Sequence, residues 1–152
     1  MQKLTLSFLN SKSPIPIVCF PLSDGKSIYA IIDTGSDSTV YDKNAKESYP
    51  EMFIKTKHIG KHQVVGVNET TEMDIYMSGL RLNVQQENEE IIALKLVAFE
   101  HCTFDSVSKP LVEREGLPGS IPLLIGSDTL IRYNAKIDMR KKSISFCVKK
   151  VA

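Results

Sequence analysis

The stretch Ala30 to Tyr41, AIIDTGSDSTVY, runs from an apolar strand end straight into an acid, Asp33, and then turns through Thr34, Gly35 and Ser36. A buried, unpaired carboxylate is expensive, so an acid at this place is either solvated in a turn or held there for chemistry. An aspartate beside a glycine in a turn is common and needs no function to explain it. The tripeptide alone therefore decides nothing. Its surroundings decide.

Upstream of Asp33 the chain alternates. Leu4–Leu9 (LTLSFL), Ile15–Phe20 (IPIVCF) and Ser27–Ile32 (SIYAII) each read as a strand, with Ser23–Lys26 (SDGK) as the hairpin turn between the last two. The prolines of the second suit a strand start or an edge. Asp42–Phe53 is polar and predicts one irregular helical turn. His58–Val84 predicts two strands around a polar turn near Asn68 to Thr71, and Ile91–Phe99 a further strand. Asp105–Pro122 reads as loop, with at most a short helix near Leu111 to Glu115. Leu123–Gly126 is a buried strand that stops at glycine, and Ser127–Tyr133 has the capping start and pattern of a helix. Ala135–Val148 predicts a closing hairpin with Met139–Lys142 as its turn. Many short strands and one clear helix make the class mostly β, a small closed barrel or packed sheets, in a single domain spanning residues 1–152.

Composition narrows the function. The chain has 152 residues, 42% hydrophobic and 24% charged, with 19 basic against 18 acidic residues. A net charge of +1 argues against nucleic acid or an anionic membrane as the main partner. No run is long enough to span a bilayer, and the first residues lack the apolar core of a secretion signal, so a cytoplasmic setting is expected. Cys19, Cys102 and Cys147 are widely spaced and odd in number, which predicts reduced, buried thiols rather than a disulfide framework or zinc site. His58 and His62 lie four apart with no evident third ligand, and His101-Cys102 is a lone pair; surface histidines and no metal are expected. No phosphate-cradling glycine loop and no Gly-x-Ser-x-Gly elbow occurs.

The second informative segment is Leu123–Leu130, LLIGSDTL: hydrophobics, a glycine, then a helix start. With IIDTGSDSTV earlier in the chain, it resembles the retropepsin-like aspartic proteases, the single-lobe family that includes the retroviral enzymes. IIDTGSDSTV matches the hydrophobic-hydrophobic-Asp-Thr-Gly-Ala/Ser segment, and Leu123–Phe146 matches the second glycine segment, its helix and the closing hairpin. His62–Met73 (HQVVGVNETTEM) sits where the family carries its flap, a hairpin over the active site. The resemblance spans most of Leu4–Val148, and Arg81–Pro122 is longer than the corresponding part of the compact retroviral enzymes.

The resemblance implies a barrel of the acid protease type with one short C-terminal helix, and an aspartic endopeptidase without metal or cofactor. Asp33, Thr34 and Gly35 would be the catalytic segment, with Thr34 buried and bonded to its counterpart across the dyad. Ser36 would bond the outer carboxylate oxygen, and Asp37 would meet the substrate backbone. Val65, Gly66 and Val67 of the flap, with Ile125, would line apolar pockets for a peptide bound in extended form. One Asp-Thr-Gly per chain implies a C2 homodimer in which two Asp33 carboxylates form the dyad. Asp128 reads as a cap or hydrogen-bonded acid at the helix start rather than a catalytic group. Two departures stand against the family pattern. Ser127 replaces the arginine that pairs with the acid placed at Asp37, and the flap segment has one glycine, Gly66, near its tip. The alternative is an inactive module of the same fold that dimerises or binds peptides.

Overall fold

Alternating apolar and polar residues become strands throughout this computed structural model, which describes residues 1–9, 15–65, 70–101 and 104–149. The strands are β1 (Gln2–Ser7), β2 (Ile17–Pro21), β3 (Ser27–Ile32), β4 (Val40–Asp42), β5 (Phe53–Val65), β6 (Thr70–Gln85), β7 (Ile91–His101), β8 (Leu123–Ile125), β9 (Lys136–Asp138) and β10 (Ser143–Val148). Helices α1 (Ala45–Ser48), α2 (Phe104–Glu115) and α3 (Ser127–Arg132) fall between them. The mostly β class expected from the sequence is the class observed.

Among the described residues the strands form two sheets, one ordered β1-β10-β9 and one ordered β2-β3-β8-β4-β7-β6-β5. The first closes the chain on itself, since Leu4 pairs with Phe146 in antiparallel register. The second curls until Leu22, just past β2, bridges Val84 on β6. Beside that bridge the Ser23 amide donates to the Asn83 carbonyl at 2.9 Å; these contacts do not by themselves make the closed barrel expected from the sequence. Side chains on the inner faces fill the space between: Val18, Phe20, Leu82, Leu94, Ile125 and Phe146 belong to one buried cluster. Phe20 and Phe146 carry it across the two sheets, with ring centroids 6.2 Å apart.

Local rules set the turns. Gly25 takes a positive φ of 88° in the β2–β3 hairpin, and the Lys26 amide donates to Asp24 Oδ1 at 2.9 Å. In the β9–β10 hairpin, Asp138 Oδ1 accepts the amides of Arg140 and Lys141, both at 3.0 Å, over the turn expected at Met139–Lys142. The polar stretch after Tyr41 holds α1 and a 3-10 turn, Pro50–Met52.

Two expectations change. The hairpin of β5 and β6 is longer than the pattern suggests, starting at Phe53 and pairing through to Val65↔Thr70, with a register shift between His58 and Gly60. Of the polar turn expected at Asn68 to Thr71, Asn68 and Glu69 lie outside the described residues, and Thr70 and Thr71 open β6 instead. Second, the loop expected over Asp105–Pro122 contains a twelve-residue helix, α2. Pro110 and a polar composition hide it, because helix propensity argues against proline in an interior. Tertiary contact outweighs that. Phe104 and Ser108 are buried, and Leu111 and Val112 pack against a second apolar cluster of Ile17, Ile31, Phe104 and Ile121. Those four helix positions follow the spacing of one helical face, with serine where an apolar residue is usual.

Candidate active site

Strands β3 and β4 are joined by the loop 33–39, yet they are not neighbours. Strand β8 lies between them, parallel to β3 (Ile32↔Ile125) and antiparallel to β4 (Val40↔Leu124). The loop carrying Asp33 must therefore cross the end of β8, and it crosses at Gly126. A Cβ on Gly126 would drive into the Ser38 carbonyl and stand 2.8 Å from the Ser36 carbonyl oxygen. Only glycine permits that approach, which ties the second motif to the first by contact.

Backbone bonds then fix the acid. The Asp33 amide donates to the Ile125 carbonyl at 3.0 Å, and the Ser127 amide donates to the Ser36 carbonyl at 2.7 Å. The Gly35 amide turns back onto Asp33 Oδ1 at 2.9 Å. A side chain at Gly35 would bring its Cβ to 3.3 Å from that same oxygen. Ile31 and Ile32 before the acid are buried, whereas Asp33 is half-buried and Thr34, Gly35 and Asp37 are exposed. The carboxylate is oriented by the turn and still reaches solvent.

Beneath the loop sits a hydroxyl that the sequence reading overlooked. Thr39 is fully buried. Its hydroxyl donates to Asp128 Oδ1 at 2.7 Å and lies 2.6 Å from the Thr129 hydroxyl, while the Gly126 amide donates to it at 3.2 Å. Because the one Thr39 proton goes to Asp128, Thr129 must be the donor of the pair. Asp128 also accepts the amides of Thr39, at 3.2 Å, and Thr129, at 2.7 Å. It is the hydrogen-bonded acid at a helix start that was expected. The available signal for Thr39 was a polar residue between a turn and an apolar strand, too common to single out.

Several expected roles fall differently in the single chain. Ser36 Oγ donates to the Ser38 carbonyl at 2.8 Å rather than to the Asp33 carboxylate. Thr34 is exposed, not buried. Ile125 is wholly buried in the main core, so it contributes its carbonyl and not a pocket wall. No described residue hydrogen-bonds the Asp37 side chain. Gly66 and Val67 lie outside the described residues, and Val65 is placed by its backbone only, as the last residue of β5. His58 stacks edge-on to Tyr76 and contacts Asp74 Oδ1 at 2.9 Å on the strand surface, and no three of His, Cys, Asp and Glu converge as a metal site among the described residues. Cys19 and Cys147 are free and half-buried rather than buried, and Cys102 is not described. An apolar cleft of about 550 Å³ opens beside Asp33 and Thr34, lined also by Ile31, Leu111, Leu124 and Met139.

Two solved structures are similar to the chain. A retropepsin-like aspartic protease from Rickettsia conorii matches over 95% of this chain and 89% of its own, at 14% identity and a TM-score of 0.48. The retroviral protease-like domain of Ddi1 from Leishmania major matches over 97% and 91%, at 14% identity and a TM-score of 0.42. Both neighbours are retropepsin-like. No protein-family model matches the chain, and no curated protein sequence does.

Proposed function

We propose that this chain is an aspartic endopeptidase that works as a homodimer, with Asp33 of each subunit forming the catalytic dyad. The observation that carries this reading is the setting of Asp33: one oxygen held by the Gly35 amide, the main chain pinned to Ile125, and the carboxyl still open to solvent. A turn acid with no task needs neither the crossing over Gly126 nor the buried network beneath it. Among the described residues no hydrogen bond joins Asp33 to a second carboxyl group. Acid and base roles need two, so a second copy supplies the other.

In the dimer the two carboxyls share one proton, since like charges so close do not both ionise readily. The ionised one takes a proton from water as its oxygen bonds to the scissile carbonyl carbon. The protonated one donates to the carbonyl oxygen. Collapse breaks the C–N bond as the amine takes the proton that the first carboxyl drew from water, and a hydroxyl of the intermediate returns a proton to the second carboxyl as the carbonyl reforms. No metal or cofactor enters this scheme. The substrate is a protein or peptide in extended form, with Asp37 and Ser36 at its backbone and the β5–β6 hairpin, through Val65, Gly66 and Val67, closing over it as a flap. The free thiols of Cys19 and Cys147 suit a cytoplasmic protein.

A second reading is an inactive dimerising or peptide-binding module. Ser127 stands where the resemblance calls for an arginine, and the Asp37 side chain has no described partner; both favour it. The deciding experiment is cleavage of a mixed peptide library by wild type and Asp33→Asn, with mass in solution measured alongside. A dimeric wild type that cuts and a dimeric Asp33→Asn that does not support the endopeptidase. Cutting by Asp33→Asn at the wild-type rate would remove the mechanism. A dimer that cuts nothing at any pH favours the module.

A further inference from the structure

We propose that Leu111, on the helix inserted between β7 and β8, is a specificity-determining residue: it walls the cleft beside Asp33 so that the cleft takes one large aliphatic or aromatic side chain of the peptide. This rests on the endopeptidase reading above.

Helix α2 is packed against the strands that position the acid. On β3, Ile28, Ala30 and Ile32 face the main core, so Tyr29 and Ile31 face the other side. There Ile31 joins Ile17, Phe104 and Ile121 in a buried cluster, with Leu111, Val112, Leu117 and Leu124 packed on it. Phe104 therefore anchors the start of α2 to the outer face of the sheet. About two turns later the same helix face delivers Leu111, and Leu111 lies in the cleft shared with Asp33 and Thr34. A residue far from Asp33 in sequence is held beside it by a rigid element rather than a loop.

The chemistry of the cleft selects its occupant. Its lining is apolar apart from Asp33 and Thr34, and runs from the buried Ile31 to the exposed Met139. A charged side chain entering it would be desolvated with only the reacting acid to pair with, so an apolar one is favoured. The volume, about 550 Å³, admits a large side chain. Met139, 53% exposed, is an adaptable wall. Leu111 is the fixed one, and its size sets how far a side chain can enter.

The test uses two peptides that differ in one residue, leucine or tryptophan, beside a reduced and uncleavable bond. Affinities are measured for wild-type dimer, Leu111→Ala and Leu111→Phe, with kcat/KM for the cleavable parents. Leu111→Ala should shift the ratio toward tryptophan, and Leu111→Phe toward leucine, each about tenfold. Val112→Ala, on the same helix but off the cleft, should move both affinities together. An unchanged ratio in both Leu111 variants overturns the proposal. So does loss of dimer mass with an unchanged ratio, which would assign the cleft to subunit contact. Failure of wild type to bind either peptide overturns it as well. If wild type binds both peptides but cuts neither parent, the endopeptidase reading falls while the affinity ratio still decides the role of Leu111.

Discussion

The Thr39 hydroxyl donates to Asp128 Oδ1 at 2.7 Å, joining the loop after the candidate catalytic acid to the start of α3. That bond, with the Gly126 amide on the same hydroxyl, locks the two motifs together from below. We predict that Thr39→Val, similar in shape, loses about 2–3 kcal/mol, because Asp128, Thr129 and the Gly126 amide all lose a partner. Thr39→Ser should retain most of the stability. Asp128→Asn keeps one acceptor and should cost about 1 kcal/mol. Urea unfolding of the three variants checks the order, and equal stability of Thr39→Val and wild type would refute the network's importance.

Gly126 has no room for a side chain against Ser36 and Ser38. Gly126→Ala should therefore destabilise by about 3 kcal/mol, since the obstacle is backbone and cannot rotate away. Gly35 has more room, with one side-chain oxygen at 3.3 Å. Gly35→Ala should cost less stability but more activity, because Asp33 must turn to make space. Thermal unfolding and peptide cleavage on the two variants separate these effects; a Gly35→Ala enzyme as active as wild type would count against the geometry proposed for Asp33.

Alkaline stability has a local origin. Burial pushes the Tyr41 hydroxyl up from 10.0, with the Ser78 hydrogen bond working the other way. Burial also pushes Tyr49 up. For Lys46 burial acts downward, but the Glu100 hydrogen bond and neighbouring charges outweigh it, so its value rises above 10.5. For each group the folded chain holds a proton that the unfolded chain releases first. Stability from these groups is therefore intact below about pH 10 and falls as pH rises beyond it. Tyr41→Phe should show a shallower alkaline loss and a cost of about 1 kcal/mol at neutral pH, where the bond to Ser78 disappears. Urea midpoints across about pH 8 to 11 measure both.

Peptide cleavage should be optimal in acid. The proposed mechanism needs one carboxyl that donates a proton and one that accepts, so the rate should fall where no carboxyl of the pair can donate. A rate that climbs steadily into alkaline conditions would point to a different base.

The long hairpin should respond to ligand. If β5 and β6 close over the groove, amides of His62–Val65 and Thr70–Met73 should exchange more slowly with an uncleavable peptide bound. Equal exchange with and without peptide would remove the flap assignment.

How much of this was written in the sequence follows from the range of each interaction. The strand into Asp33, the turn at Ser23–Lys26 and the closing hairpin at Met139–Lys142 are local, and their patterns named them. The two motifs, IIDTGSDSTV and LLIGSDTL, pointed to the site because glycine and acid residues at strand ends are chemically conspicuous. What only the tertiary structure decided is long-range. Helix α2 formed despite Pro110 because Phe104 and Ile31 bury each other's cluster, and no local propensity encodes that contact. The insertion of β8 between β3 and β4 placed Thr39 against Asp128, and it turned Ile125 from an expected pocket wall into a buried residue that gives the site its carbonyl. Alternation says which residues face opposite sides of a strand, but not what covers each side, because the covering residues come from elsewhere in the chain.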